Sequence, residues 1–201
     1  MVRTVKAPDE RKAEIIEKAA KLFATKGLAK TSVSDIVKSV GVAQGTFYWY
    51  FKSKQEIINA IVENQCFSYG SKLNEIVDNP KLNGYQKLIG IRDQLFGNVI
   101  HNDELIEQFH QESNRVVHDQ LVGELTKMMV PLLTKVIAQG IKEKIIKVSD
   151  PKKAAFFIFG ATHIVNEVEI NDKEDLSQWK KAITDFAMKG LGYKGDIKWK
   201  I

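Results

Sequence analysis

Between Gly41 and Lys54 the chain collects groups that hydrogen-bond in several ways: an amide at Gln44, hydroxyls at Thr46, Tyr48 and Tyr50, an indole N–H at Trp49 and an ammonium group at Lys54. A side-chain amide donates and accepts together, so Gln44 can pair with an adenine edge through two hydrogen bonds. Ala43 and Gly45 act by lacking bulk, which lets the backbone approach the bases, and Ala43 can also touch a thymine methyl. Thr46, Tyr48, Trp49, Tyr50 and Lys54 suit phosphate oxygens, and at Lys54 the positive end of the helix it begins adds to the attraction for the phosphate. Such side chains on a short helix behind a tight turn have the layout needed to enter a DNA major groove.

The elements that must hold these groups read as helices. Pro8 suits a first turn, Asp9 and Glu10 favour its positive end, and Ile15, Ile16, Ala19, Leu22 and Phe23 form one apolar stripe before Gly27 stops the helix. Thr31 or Ser32 can cap the next helix, with Asp35 at capping-box spacing from Ser32, and Val33, Ile36, Val37 and Val40 turn inward. Thr31 and Ser32 would also hold the entry to that helix against the DNA backbone; simple capping is the alternative, and both can hold. Gly41 fits a left-handed position that a side chain makes costly, so the chain reverses into Ala43 to Trp49. Ser53 with Glu56 forms a second capping box, opening a long helix toward Val77. Of the aromatic run, Phe47 and Phe51 are expected inside, while the hydroxyls of Tyr48 and Tyr50 and the indole N–H of Trp49 need partners and so favour exposure.

Charge is distributed to match. Residues 1–54 hold eleven Lys or Arg against five Asp or Glu, whereas residues 55–201 hold nineteen against twenty. The basic excess of a chain with net charge +5 is therefore local, which suggests a polyanion at one end only. With 201 residues, 44% of them hydrophobic, the chain has room for a small domain and a larger one. Met1 to Glu14 lacks the apolar segment of a secretory signal, and the densest apolar stretch, Ala154 to Val165, is too short to span a bilayer. The expected location is the cytoplasm, with no membrane partner. A single cysteine, Cys66, excludes an internal disulfide and a cysteine-based zinc site. No phosphate-cradling glycine loop, His-Glu-x-x-His pair or nucleophile elbow is present, and the four histidines are scattered. Neither an enzyme nor a cofactor or metal is expected; a hydrolase and a protein-binding helical adaptor are the rival readings.

The remainder, from about Pro80 to Tyr193, is expected to form a bundle over roughly 84–100, 103–114, 116–147, 150–170 and 176–191, with a kink at Pro131 in the longest segment. Ala154 to Ala161 is apolar around its whole circumference and must be covered on both sides. Trp179, Ile183, Phe186, Ala187 and Gly190 repeat at helical spacing on the last helix. Two such helices pairing with their symmetry mates would give a four-helix homodimer interface, with Phe157, Gly160, Ala161, Ile164, Ile183 and Phe186 in it.

The run from Thr31-Ser32-Val33-Ser34-Asp35-Ile36 through Gly41-Val42, Gly45-Thr46-Phe47-Tyr48 and Tyr50-Phe51-Lys52-Ser53-Lys54 resembles the amino-terminal module of TetR-type, tetracycline-repressor-like transcriptional regulators. The resemblance covers about a quarter of the chain closely. It implies an all-α fold: a three-helix DNA-binding domain with a helix-turn-helix at 1–53, and a helical bundle for ligand binding and dimerisation at 54–201. It implies a homodimer on a palindromic operator, usually a repressor, released by a small-molecule effector. It makes Tyr48 and Tyr50 phosphate contacts and leaves Trp49 at a variable position. In that layout a stripe of Ile106, His110, Asn114, Val117, Leu121, Leu125, Met128 and Leu132 would border the ligand cavity, provided helicity persists through Ser113. His110 and Asn114 would then recognise the ligand; bonding to neighbouring helices, exposure at a helix break, or a metal shared by His110 and His118 are the alternatives.

Overall fold

Pro8 opens the first helix at no cost, because a first-turn N–H has no partner to lose. The structure is a computed structural model that describes residues 7–100, 104–167 and 173–195. Among these residues it is built of α-helices joined by short turns.

Helix α1 (Pro8–Lys26) buries Ile15, Ala19 and Phe23, spaced four apart, and ends at Gly27 with φ 89°. Helix α2 (Val33–Val40) ends at Gly41, which is left-handed at φ 75° and ψ 35°. The Gly41 N–H donates to Val37 O, as does the N–H of Val42, so the turn absorbs the last carbonyls of α2 and launches the next helix. Helix α3 (Gln44–Tyr50) follows with Ala43 as its N-cap, and then α4 (Lys54–Val77). Helices α5 (Gly84–Ile100), α6 (Glu104–His110), α7 (Arg115–Lys142), α8 (Pro151–Glu167) and α9 (Lys173–Gly190) complete the described chain.

Packing divides the chain into two compact units. Residues 1–67 and 102–124 form the first, in which α1 packs on both α2 and α6 and α2 packs on α3. Residues 68–101 and 125–201 form the second, with a core of Leu73, Val77, Ile91, Val136, Ile137 and Leu191 among others. Two details fix this second core. A Cβ on Gly84 would lie 2.8 Å from the Cα of Gly140, so α5 and α7 touch backbone to backbone. The buried Lys87 ammonium donates to Val77 O at 2.6 Å and to Gln139 Oε1 at 2.8 Å, placing a cation on the carbonyl end of α4.

The bundle departs from expectation in two places. No unbroken helix runs over 103–114: α6 stops at His110, Gln111 is extended at ψ 137°, and Glu112–Asn114 is a 3₁₀ turn. The Asn114 side chain donates to Gln108 O at 2.7 Å, a local bond that competes with helix continuation. Helix α7 ends at Lys142 rather than reaching Lys147, because Lys144 turns left-handed at φ 60° and the N–H groups of Ile145 and Ile146 both return to Gly140 O. That turn drops Ile146 into the core. Pro131 is carried inside α7 without ending it.

Candidate nucleic-acid interface

Helix α3 has one buried position and a broad outer face. Phe47 is fully buried and sits 5.7 Å from the Phe51 ring, also buried, so the two phenylalanines anchor the helix. Ala43, Gln44 and Gly45 are exposed at its amino-terminal end. Tyr48 is 48% exposed and Trp49 70% exposed, while Thr46 and Tyr50 are half-buried. The Trp49 ring stands edge-on to Tyr50 at 4.5 Å. The sequence-derived split of the aromatic run thus corresponds to what the side chains do.

What positions α3 is a polar knot at the start of α2. Ser32 Oγ accepts from the Asp35 N–H at 3.1 Å, and Asp35 Oδ2 accepts from the Ser32 N–H at 2.8 Å, a complete capping box. The same Asp35 oxygen accepts from Lys26 Nζ at 2.8 Å, tying the end of α1 to the start of α2. The Lys26 hydrogen bond, then those from Ser32, hold the Asp35 carboxyl well below the ordinary carboxylate range. Capping was legible from the Ser-x-x-Asp spacing; the tie to Lys26, nine residues away, was not.

Two expected contacts are corrected. Thr31 is buried, and its hydroxyl donates to Gly27 O at 2.8 Å, so its side chain closes the α1 turn rather than facing outward. Ser32 is the cap and is exposed. The Lys54 ammonium donates to Leu28 O and lies 6.0 Å from the Phe23 ring centroid, so it is turned into the unit and braces α4 against the α1–α2 turn. Burial lowers its pKa. At the head of α4, Ser53 Oγ caps the Glu56 N–H at 3.1 Å, but the Glu56 carboxylate returns to the N–H of Lys52 instead of Ser53. Lys30, Lys38 and Lys52 are exposed cations of this unit that the charge count implied without singling any out.

Two family models match this chain, "Bacterial regulatory proteins, tetR family" over residues 15–61 and "Tetracyclin repressor-like, C-terminal domain" over residues 98–190. The chain belongs to the TetR family. Within that family it is 26% identical over 186 residues to the fatty acid metabolism regulator protein of Bacillus subtilis, covering 90% of this chain and 95% of that one. It is also 26% identical over 146 residues to the transcriptional repressor KstR2 of Mycobacterium tuberculosis, covering 71% and 72%. Among solved structures, FadR from Bacillus subtilis in complex with stearoyl-CoA superposes with a TM-score of 0.69 at 24% identity, covering 89% of this chain and 98% of that one. These relatives are transcriptional regulators, and this TetR-family chain is a DNA-binding transcriptional regulator with an all-α fold.

The TetR-family carboxy-terminal region carries the remaining expected sites. On α8, Phe157 is 76% exposed, and on α9, which packs against α8, Phe186 is 71% exposed; Phe156 and Trp179 are exposed beside them. Gly160 and Ala161 are half-buried, and a Cβ on Gly160 would meet open space. Ile183 is corrected: it is 8% exposed and packs on Phe96. Helix α9 has two apolar faces, with Trp179, Phe186 and Gly190 outward and Ile183 and Ala187 inward, and their spacings had merged into one series. The side chain of Ile164 lies outside the described residues.

The effector stripe is corrected too. The break at Gln111 separates His110 from Asn114, so they share no helix face. His110 is exposed and 5.2 Å from the His118 ring, Asn114 is bound to Gln108 O, and Val117 and Leu121 are buried. Among the described residues no group of three His, Cys, Asp or Glu could hold a metal ion, and no helix is long and apolar enough to cross a membrane. A cavity of about 40 Å³ lies instead in the second unit, lined by Leu88, Ile91, Leu133, Ile158, Thr162 and Met188 with the stem of Arg92. The buried Arg92 guanidinium donates to Thr184 Oγ1 at 3.2 Å and to Asp93 Oδ1, which also accepts from Lys180 Nζ at 2.7 Å. Burial raises the Asp93 pKa, but the hydrogen bonds from Lys180 and Arg92 outweigh it and hold the carboxyl below its ordinary value.

Proposed function

We propose that this chain is a repressor that binds a palindromic operator as a homodimer and leaves it when a small molecule occupies the carboxy-terminal region. Residues 1–53 are the DNA-binding part and residues 54–201 the ligand-binding and dimerising part, working in the cytoplasm. The observation that carries the reading is the outer face of α3, where Gln44, Gly45, Tyr48 and Trp49 stand exposed above two buried phenylalanines in the basic end of the chain. Gln44 reads a base, Tyr48, Tyr50, Thr46 and Ser32 meet the DNA backbone, and Ala43 and Gly45 permit close approach. Dimerisation is supported by the exposed phenylalanines of α8 and α9, and dyad symmetry in the protein implies an inverted repeat in the DNA.

For the effector we propose an apolar compound, with a fatty-acyl thioester as the first probe. The walls of the cavity between α5, α7, α8 and α9 are mostly aliphatic, and similar proteins of Bacillus subtilis include its fatty acid metabolism regulator and FadR, solved with stearoyl-CoA. A volume of about 40 Å³ holds roughly three waters, so an acyl chain enters only as neighbouring side chains give way. The test is electrophoretic retardation of duplexes selected from a random pool. Wild type should retard them and a Gln44→Ala, Tyr48→Ala double variant should not; stearoyl-CoA should then release wild type. Equal retardation by both proteins would sink the assignment of the DNA contacts to Gln44 and Tyr48 of α3, absence of retardation by wild type would sink DNA binding itself, and retardation unaffected by acyl thioesters would sink only the effector class.

A further inference from the structure

We infer that Trp49 is a sequence-reading residue that packs its indole on thymine methyl groups, and that it sets a preference for A·T pairs separate from the base read by Gln44. The inference rests on the DNA-binding assignment of α3. On a helix of 3.6 residues per turn, the direction opposite the buried Phe47 falls between Gly45 and Trp49, which lie one turn apart on the same outward line. Tyr48 and then Gln44 lie at increasing angles from that line on one side, exposed, and Thr46 and Tyr50 mirror them on the other, half-buried. The exposures follow this order, with Trp49 at 70% standing above Tyr48, while Thr46 and Tyr50 are half-buried.

Along the outward line the surface has a step. At Gly45 no atom lies within 4 Å of where a Cβ would stand, so the first turn of α3 lets DNA come up to the backbone. One turn later the largest side chain in the set projects, and its edge contact with Tyr50 keeps the indole from folding down over Gly45. A helix that enters a groove with this profile must bring the indole against the groove floor or wall a few base pairs from the Gln44 contact. The indole offers a wide apolar face and a single N–H donor. The one apolar feature of a major-groove floor is the thymine 5-methyl, so the ring gains most where thymines lie. A phosphate contact through the indole N–H, the role first suggested by residue type, would use the edge of the ring and leave its face in water.

The test begins with a duplex that wild-type protein selects from a random pool, resynthesised with single deoxyuridine replacements for thymidine, which remove only the 5-methyl. Burial of one methyl group corresponds to about a four-fold change in affinity. Wild type should lose about that much for uridine at one or two positions in each half-site. Trp49→Ala should bind more weakly and be indifferent to those replacements, Trp49→Phe should keep part of the sensitivity, and Gln44→Ala should keep all of it. Trp49 is so exposed that the alanine variant is expected to fold, and its helical circular dichroism should equal that of wild type. Indifference of wild type to every methyl, or undiminished sensitivity in Trp49→Ala, overturns the inference while leaving DNA binding intact. Failure to select any duplex counts instead against the DNA-binding assignment beneath it.

Discussion

Among the described residues aromatic rings are exposed in groups on α3 and on α8 with α9, apart from the single Phe67 of α4, and the two groups are made of different rings. On α3 the exposed rings are Tyr48 and Trp49, each with a hydrogen-bonding tip; on α8 and α9 they are Phe156, Phe157 and Phe186, pure hydrocarbon, with Trp179 beside them. A ring with a polar tip can face a wet, charged partner because its donor is satisfied there. A phenylalanine gains only from removal of water, so a cluster of them calls for an apolar cover. The amino-terminal surface is accordingly suited to intermittent contact with a polyanion, and the carboxy-terminal one to a lasting contact between copies of the chain. Exposure alone does not separate the two; the chemistry of the ring tips does.

The comparison is most exposed to failure at the phenylalanines. A Phe157→Asp, Phe186→Asp variant changes four side chains in a symmetric dimer, each worth roughly 1.5–3 kcal/mol of burial. Its dimer dissociation constant should rise by at least about 10⁴-fold, and sedimentation at micromolar concentration should report a monomer. A dimer of wild-type affinity would mean that these rings face something else. On α3 the effects should be smaller and of a different kind. Gln44→Ala should cost roughly 1–3 kcal/mol per half-site in operator binding and relax preference at one position in each half-site, as read by selection from a random pool.

Lys52 and Lys54 sharpen the contrast between touching DNA and holding what touches it. Replacing the exposed Lys52 by Ala should reduce the salt slope of operator binding by about 1.8, in line with one lost phosphate contact in each half-site. Lys54→Met should leave that slope unchanged and instead lower the unfolding midpoint, because its ammonium is spent on Leu28 O. A reduced slope for Lys54→Met would return this residue to the phosphate. Smallest of all are the effects at the α2 cap. Ser32→Ala should destabilise the protein by about 1 kcal/mol in urea unfolding. Asp35→Asn should also destabilise, with a characteristic pH dependence. The folded carboxyl has a depressed pKa, so its contribution is present above the ordinary Asp value of about 3.9 and is lost as pH falls through the folded value. The gap between wild type and Asp35→Asn should therefore be constant near neutrality and close only in strong acid.

Legibility in the sequence followed the range of the interaction. Gly41 in its left-handed turn, the Ser32–Asp35 box, the inward Phe47 and Phe51 and the limits of α5 at Gly84 and Ile100 all depend on neighbours a few residues away, and all were readable. The Lys54 ammonium was misassigned because its partner, Leu28 O, is twenty-six residues distant and is a backbone atom that no residue type advertises. Ile183 was misassigned because a helix with two apolar faces gives one overlapping series of spacings. The stripe through His110 and Asn114 failed on a single extended residue, Gln111, within an otherwise helical pattern. The candidate DNA surface is local in this sense, whereas a ligand cavity assembled from α5, α7, α8 and α9 is not.

The meeting of Gly84 and Gly140 carries a consequence for how such a protein can diverge. At this point α5 and α7 have no side chains between them, and a Cβ on Gly140 would lie 2.5 Å from the Ile146 Cδ1 as well. A substitution at Gly84 pushes on backbone, which cannot be trimmed by any second mutation, while one at Gly140 pushes on Ile146, which can be. In a saturation library the first position should therefore admit almost no replacements in any background, and the second should admit alanine once Ile146 has become smaller. The two glycines sit at one contact, yet backbone packing should hold the first unchanged while the second is open to replacement by a compensated path.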